Sequence, residues 1–157
     1  MAFLLKNSRA GDQSVIDQWI HVSKASATLP AGTTQNIFTV SGGRVVVKAL
    51  VGQVTTAIQN QACNFKVTSV PTTGTAVDLA SNLDIDNDEA GCLYLVEGDG
   101  TALVGANAGA ALSGIGMGIM VIPVGTIRVE TSATNTGATK WDLWYQPLDA
   151  NGRVTSA

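Results

Sequence analysis

Arg44-Val-Val-Val-Lys-Ala-Leu-Val-Gly-Gln-Val-Thr-Thr56 is the stretch on which the fold class turns. It is dense in β-branched side chains, which fit a pleated strand better than a helical turn. At the strand period of two, Val45, Val47, Ala49 and Val51 share one face, which reads as core. Arg44, Val46, Lys48 and Leu50 share the other. That second face is mixed: Val46 and Leu50 are too apolar for open water, so the pattern calls for a cover over it.

The same signals recur on either side. Asn36-Ile-Phe-Thr-Val-Ser41 precedes Gly42-Gly43, and a glycine pair between β-branched runs is a hairpin signal. Downstream, Cys63, Phe65 and Val67 alternate with Asn64, Lys66 and Thr68 until Pro71-Thr-Thr-Gly74 turns the chain. Further strands are expected over residues 75–79, 91–97, 119–122, 126–131 and 140–146, separated by Pro123-Val-Gly125 and Thr134-Asn-Thr-Gly137. No long amphipathic helix interrupts them. Short strands punctuated by Gly, Pro and Asn predict an all-β antiparallel domain, a β-sandwich of jelly-roll type or a small β-barrel. Residues 1–22 are polar and turn-prone and read as an extended N-terminal arm, leaving 23–157 as a single β domain. The Gly- and Ala-rich run over 101–118 fits no element class.

Of 157 residues, 45% are hydrophobic but only 13% charged, about half the usual share of roughly 25%. A surface so poor in charge is expected to be covered in part by copies of the chain or by a partner; a monomer coated in Thr, Ser and Asn is the alternative. With a net charge of −3 and no basic tract, neither nucleic acid nor an anionic membrane is expected as a partner. The apolar run at the start is too short for a secretory signal, and Ile115 to Val124 is too short to span a bilayer. Synthesis in the cytoplasm follows, and in that setting Cys63 and Cys92 are expected to stay free and buried, although a cross-strand pair is also open.

Chemistry-bearing constellations are few. His21 stands alone, so no histidine-rich metal site and no convincing Ser/His/Asp triad is expected. Asp84-Ile-Asp-Asn-Asp-Glu89 is the one dense carboxylate cluster. As a calcium loop it has Glu89 where Gly is needed and Leu95 where Glu is needed, so a solvated acidic turn is the simpler reading. Gly114-Ile-Gly-Met-Gly118 lacks the spacing and the flanking elements of a nucleotide loop. No catalytic, cofactor-binding or metal-binding residues are therefore expected. The aromatic run is more telling. Trp141, Leu143 and Tyr145 face one way and Asp142, Trp144 and Gln146 the other, so both tryptophans cannot lie in one thin core. An interface is one destination for the second indole, and a further layer covering it is the other. The contact candidates are Trp19 and Ile20 in the arm, Val46 and Leu50 on the mixed face, and Trp144.

The order of these motifs carries a resemblance. Leu29-Pro-Ala-Gly-Thr-Thr34, Ile37-Phe-Thr-Val-Ser-Gly-Gly-Arg-Val45, Leu50-Val-Gly-Gln-Val-Thr-Thr-Ala-Ile58, Gly137-Ala-Thr-Lys-Trp141 and Tyr145-Gln-Pro-Leu-Asp149 resemble small virion proteins of tailed double-stranded DNA bacteriophages. Within that group the chain is most similar to capsid decoration, or cement, proteins. The resemblance implies a homotrimeric β-rich knob that binds the major capsid protein on the outside of an icosahedral shell and clamps it. It carries no catalytic residues to transfer. A tail or head-fibre component and a carbohydrate-binding module, with tryptophans as stacking platforms, are the alternatives. An enzyme built on the acidic cluster is the remotest.

Overall fold

The computed structural model describes residues 18–97, 104–106 and 119–157. The described residues form eleven strands: β1 (Ile20–Thr28), β2 (Thr34–Ser41), β3 (Val45–Thr56), β4 (Asn64–Pro71), β5 (Val77–Asp84), β6 (Leu93–Leu95), β7 (Val104–Ala106), β8 (Met120–Ile122), β9 (Gly125–Thr131), β10 (Ala138–Pro147) and β11 (Arg153–Ser156). They form two antiparallel sheets. The first has the order β1-β10-β3-β6-β7, with β8 also on β3, and the second the order β11-β2-β9-β4-β5. Among the described residues each sheet ends in edge strands that pair on one side only, so the architecture is an open sandwich and not a closed barrel.

The hydrophobic core lies between the sheets. β9 shows the expected alternation without a break: Ile127 and Val129 are buried while Arg128 and Glu130 are half-buried. Trp141 from β10, Phe65 from β4 and Tyr94 from β6 form an aromatic centre, with ring centroids 6.0 Å apart for Phe65–Trp141 and 5.6 Å for Phe65–Tyr94. Each such buried side chain contributes on the order of 1.5–3 kcal/mol. Gly52 on β3 makes room for the largest of them, since a Cβ there would stand 2.7 Å from the Trp141 ring. The polar tips are satisfied: Trp141 Nε1 donates to Thr139 Oγ1 (3.1 Å) and the Tyr94 hydroxyl donates to Asp88 Oδ2 (2.6 Å). Burial, reinforced by the Asp88 carboxylate, holds the Tyr94 phenol far above its ordinary value.

The central strand departs from simple alternation. Trp144 pairs with Ala49 and Tyr145 with Val47, so Lys48 is an extra residue, a β-bulge. Before it Val45 and Val47 point into the core; after it Leu50, Gly52 and Val54 do. Leu50, expected on the outer face, is therefore 0% exposed and part of the core. Ala49 and Val51, expected in the core, lie on the half-buried side instead. The bulge shifts every side chain beyond it to the opposite face.

The glycine pair also plays a different part. β2 belongs to the second sheet and β3 to the first, so Gly42-Gly43 carries the chain across the sandwich and closes no hairpin. Gly42 has φ +75°, and a Cβ on it would collide with the Asn151 carbonyl oxygen at 2.1 Å. Arg44 and Asp149 fasten this crossing: the Asp149 carboxylate accepts from the Arg44 backbone N–H (2.8 Å), Nε (3.0 Å) and Nη2 (2.9 Å).

Three strands have no clear sequence signal: β1, β11 and β7, the last lying in the 101–118 run and pairing with β6. Residues 20–22, assigned to the arm, form the start of β1, which pairs along β10 from Ile20↔Tyr145. The tail after Asn151-Gly152 forms β11 on β2, anchored by buried Val154. Residues 1–17 of the expected arm, and most of 101–118, lie outside the described residues.

Candidate functional site

The outer face of the first sheet gathers the side chains that the core does not use. Register places His21, Trp144 and Ala49 in one row across β1, β10 and β3. A second row runs from Gln146 through Val46 to Val121 on β8. Because β10 keeps strict alternation, Trp144 emerges here while Trp141 and Tyr145 on either side are buried, as the aromatic run predicts.

Trp144 is held in place. The His21 ring stacks on it with centroids 4.6 Å apart and planes inclined at 22°. His21 Nε2 in turn donates to Asp142 Oδ1 at 2.7 Å, which fixes the imidazole's orientation. Trp19, just ahead of β1, reaches the same surface, and the Lys48 ammonium stands 5.2 Å from the centre of its ring. Trp19, Lys48, Ala49 and Trp144 together line an open cleft of about 300 Å³. The bulge is the reason Lys48 and its neighbour Ala49 both reach this cleft, where regular pleating would send one of them inward.

Across from Val46, the exposed side chains on and just ahead of β8 are apolar. Val121 is 54% and Ile119 68% exposed, and both border a groove of about 290 Å³ between β8 and the start of β5, where Val77 is 59% exposed. Ser69, Pro71, Thr75 and Leu79 complete much of its wall, and among the described residues no charged side chain lines it. Ile20, 43% exposed, stands apart at the β1 edge, on the side of Tyr145 and not of Trp144. Of the five contact candidates, Trp19, Val46 and Trp144 thus share one face, Ile20 is exposed at the β1 edge on the opposite side, and Leu50 is internal.

The outer face of the second sheet is different in kind. Lys66 reaches Asp78 (3.2 Å) and Glu130 (3.5 Å), and Arg128 reaches Glu130 (2.6 Å). Burial pulls the Lys66 ammonium down, but its carboxylate neighbours outweigh that and hold it above its ordinary range.

The acidic loop is partly structural. Asp84 Oδ1 accepts from the Cys63 and Asp86 backbone N–H groups, both at 3.2 Å. Asp88 receives Tyr94, and Ile85 is fully buried between them. Asn87 adopts the left-handed conformation (φ 61°) that an Asn in a turn accommodates. Among the described residues no three His, Cys, Asp or Glu side chains converge as a metal-binding group, and no helix is long and apolar enough to cross a membrane. Cys63 and Cys92 are both buried and are not joined in a disulfide.

Comparison with protein-family models, with curated proteins and with solved structures gave no match.

Proposed function

We propose that this chain is a non-catalytic structural protein of a tailed-phage virion, a decoration protein that binds the major capsid protein on the outside of an icosahedral shell. In this reading it is made in the host cytoplasm, self-associates as a homotrimer and stabilises the shell through many modest contacts acting together. The observation that carries the reading is the uncharged band from Val46 through Val121 and Ile119 into the β5/β8 groove. Contiguous exposed apolar surface of this kind marks protein–protein contact. The low overall charge and the resemblance of the strand and turn motifs point the same way. Co-sedimentation tests it: the protein travels with expanded shells and is left behind by immature ones. A protein that ignores both, or that labels the tail and not the head, contradicts it.

A further inference from the structure

The band proposed for association does not need the cleft between Trp19 and Trp144. We propose that this cleft is a binding site for an acidic saccharide, with a pyranose ring against the indoles and its carboxylate facing Lys48.

The lining sets the ligand chemistry. Two indoles, one ammonium and one methyl group present flat apolar surface and a single positive charge. The C–H face of a pyranose ring is flat and carries partial positive charge drawn out by the adjoining oxygens, which suits the electron-rich face of an indole. Among the described residues Lys48 is the one charged group lining the cleft, and the nearby Asp142 carboxylate is engaged by His21. An anionic substituent is thus favoured over a cationic one. The volume, about 300 Å³, lies at the small end of ligand pockets and suits one or two rings.

The cleft is also preorganised. His21 stacks on Trp144, and Lys48 is placed over Trp19 by a bulge that interrupts the central strand. Side chains held before the ligand arrives lose less freedom on binding. Ala49 keeps the floor open, since a longer side chain there would occupy the space.

Tryptophan fluorescence and calorimetric titration of the full chain with trigalacturonate, against neutral maltotriose, test the proposal. Trigalacturonate is expected to give a saturable change and to bind at least tenfold more tightly than maltotriose. Trp144→Ala is expected to weaken it at least tenfold, and Lys48→Gln to bring both sugars to the same affinity. Ala49→Gln, a change on the outer face, is expected to abolish binding while the circular dichroism spectrum stays unchanged. No saturable response to either sugar overturns the proposal, as does Ala49→Gln binding like the wild type. If Trp144→Ala and Ala49→Gln change only the particle mass, the cleft is a protein contact and the proposal fails. Saccharide binding by a chain that ignores capsids leaves this site standing and removes the decoration reading.

Discussion

Trp141 and Trp144 sit three positions apart on β10, yet one is 1% exposed in the core and the other stands half-buried on the outer face. The first is enclosed by Phe65, Gly52 and Thr139; the second is supported on one side by His21 and opens on the other into a cleft. The same residue type on the same strand thus serves cohesion on one side and faces an open cleft on the other. What separates them is the pleat of the strand.

The largest expected effect comes from the inner side. Trp141→Ala removes the biggest core side chain and leaves a cavity, and should lower unfolding free energy by about 3–5 kcal/mol in urea titration. Trp144→Ala, measured alongside, should cost under ~1 kcal/mol. Equal losses would erase the distinction between the faces. Next is Gly52→Val, which drives a branched side chain into the Trp141 ring and should cost about 1–3 kcal/mol. Ala49→Val, three residues earlier on the outer side of β3, should change stability by less than ~0.5 kcal/mol in the same assay.

Tyr94→Phe comes third. It deletes the hydrogen bond to Asp88 and should cost about 1 kcal/mol at neutral pH. The Tyr94 phenol is raised in the folded state, so its contribution is complete below the ordinary tyrosine range near pH 10 and is lost as pH rises beyond it. Wild type should therefore weaken above about pH 10 more steeply than Tyr94→Phe in thermal melts. The smallest effect belongs to the exposed crossing. Asp149, held at about 2 chiefly by its side-chain hydrogen bond from Arg44, contributes stability above the usual carboxylate range and loses it as pH falls toward 2. The slight advantage of wild type over Asp149→Asn at neutral pH should disappear over that interval.

How much of this was legible follows from how local each signal is. The alternation in β9 and β10 is local, so the all-β class, the buried Ile127–Val129 pair and the outward position of Trp144 could all be read from residue order. The side of Leu50 could not, because the period-two count runs straight through the extra residue at Lys48, and nothing in the sequence marks that residue as a bulge. Gly42-Gly43 looks like a hairpin locally; only the distant pairings of β2 with β9 and β3 with β10 show that it crosses between sheets. β1 and β11 are polar edge strands whose order depends on neighbours far along the chain, so their composition resembles loop. For the same reason the meeting of Trp19 with Trp144 was invisible, although both indoles stood out individually as surplus to the core.

The contrast between the two sides also bears on assembly. The core side closes on itself, and the second sheet's outer face is neutralised by its own ion pairs around Lys66 and Glu130. The band around Val46, Val121 and Ile119 has no such internal cover among the described residues. Light scattering on the wild type and on Val46→Glu/Val121→Glu tests this most directly. The account predicts a wild-type particle of about three times the 16.1 kDa chain, and a variant that falls to a single chain with its circular dichroism spectrum unchanged. A monomeric wild type, or a variant that remains trimeric, would contradict it.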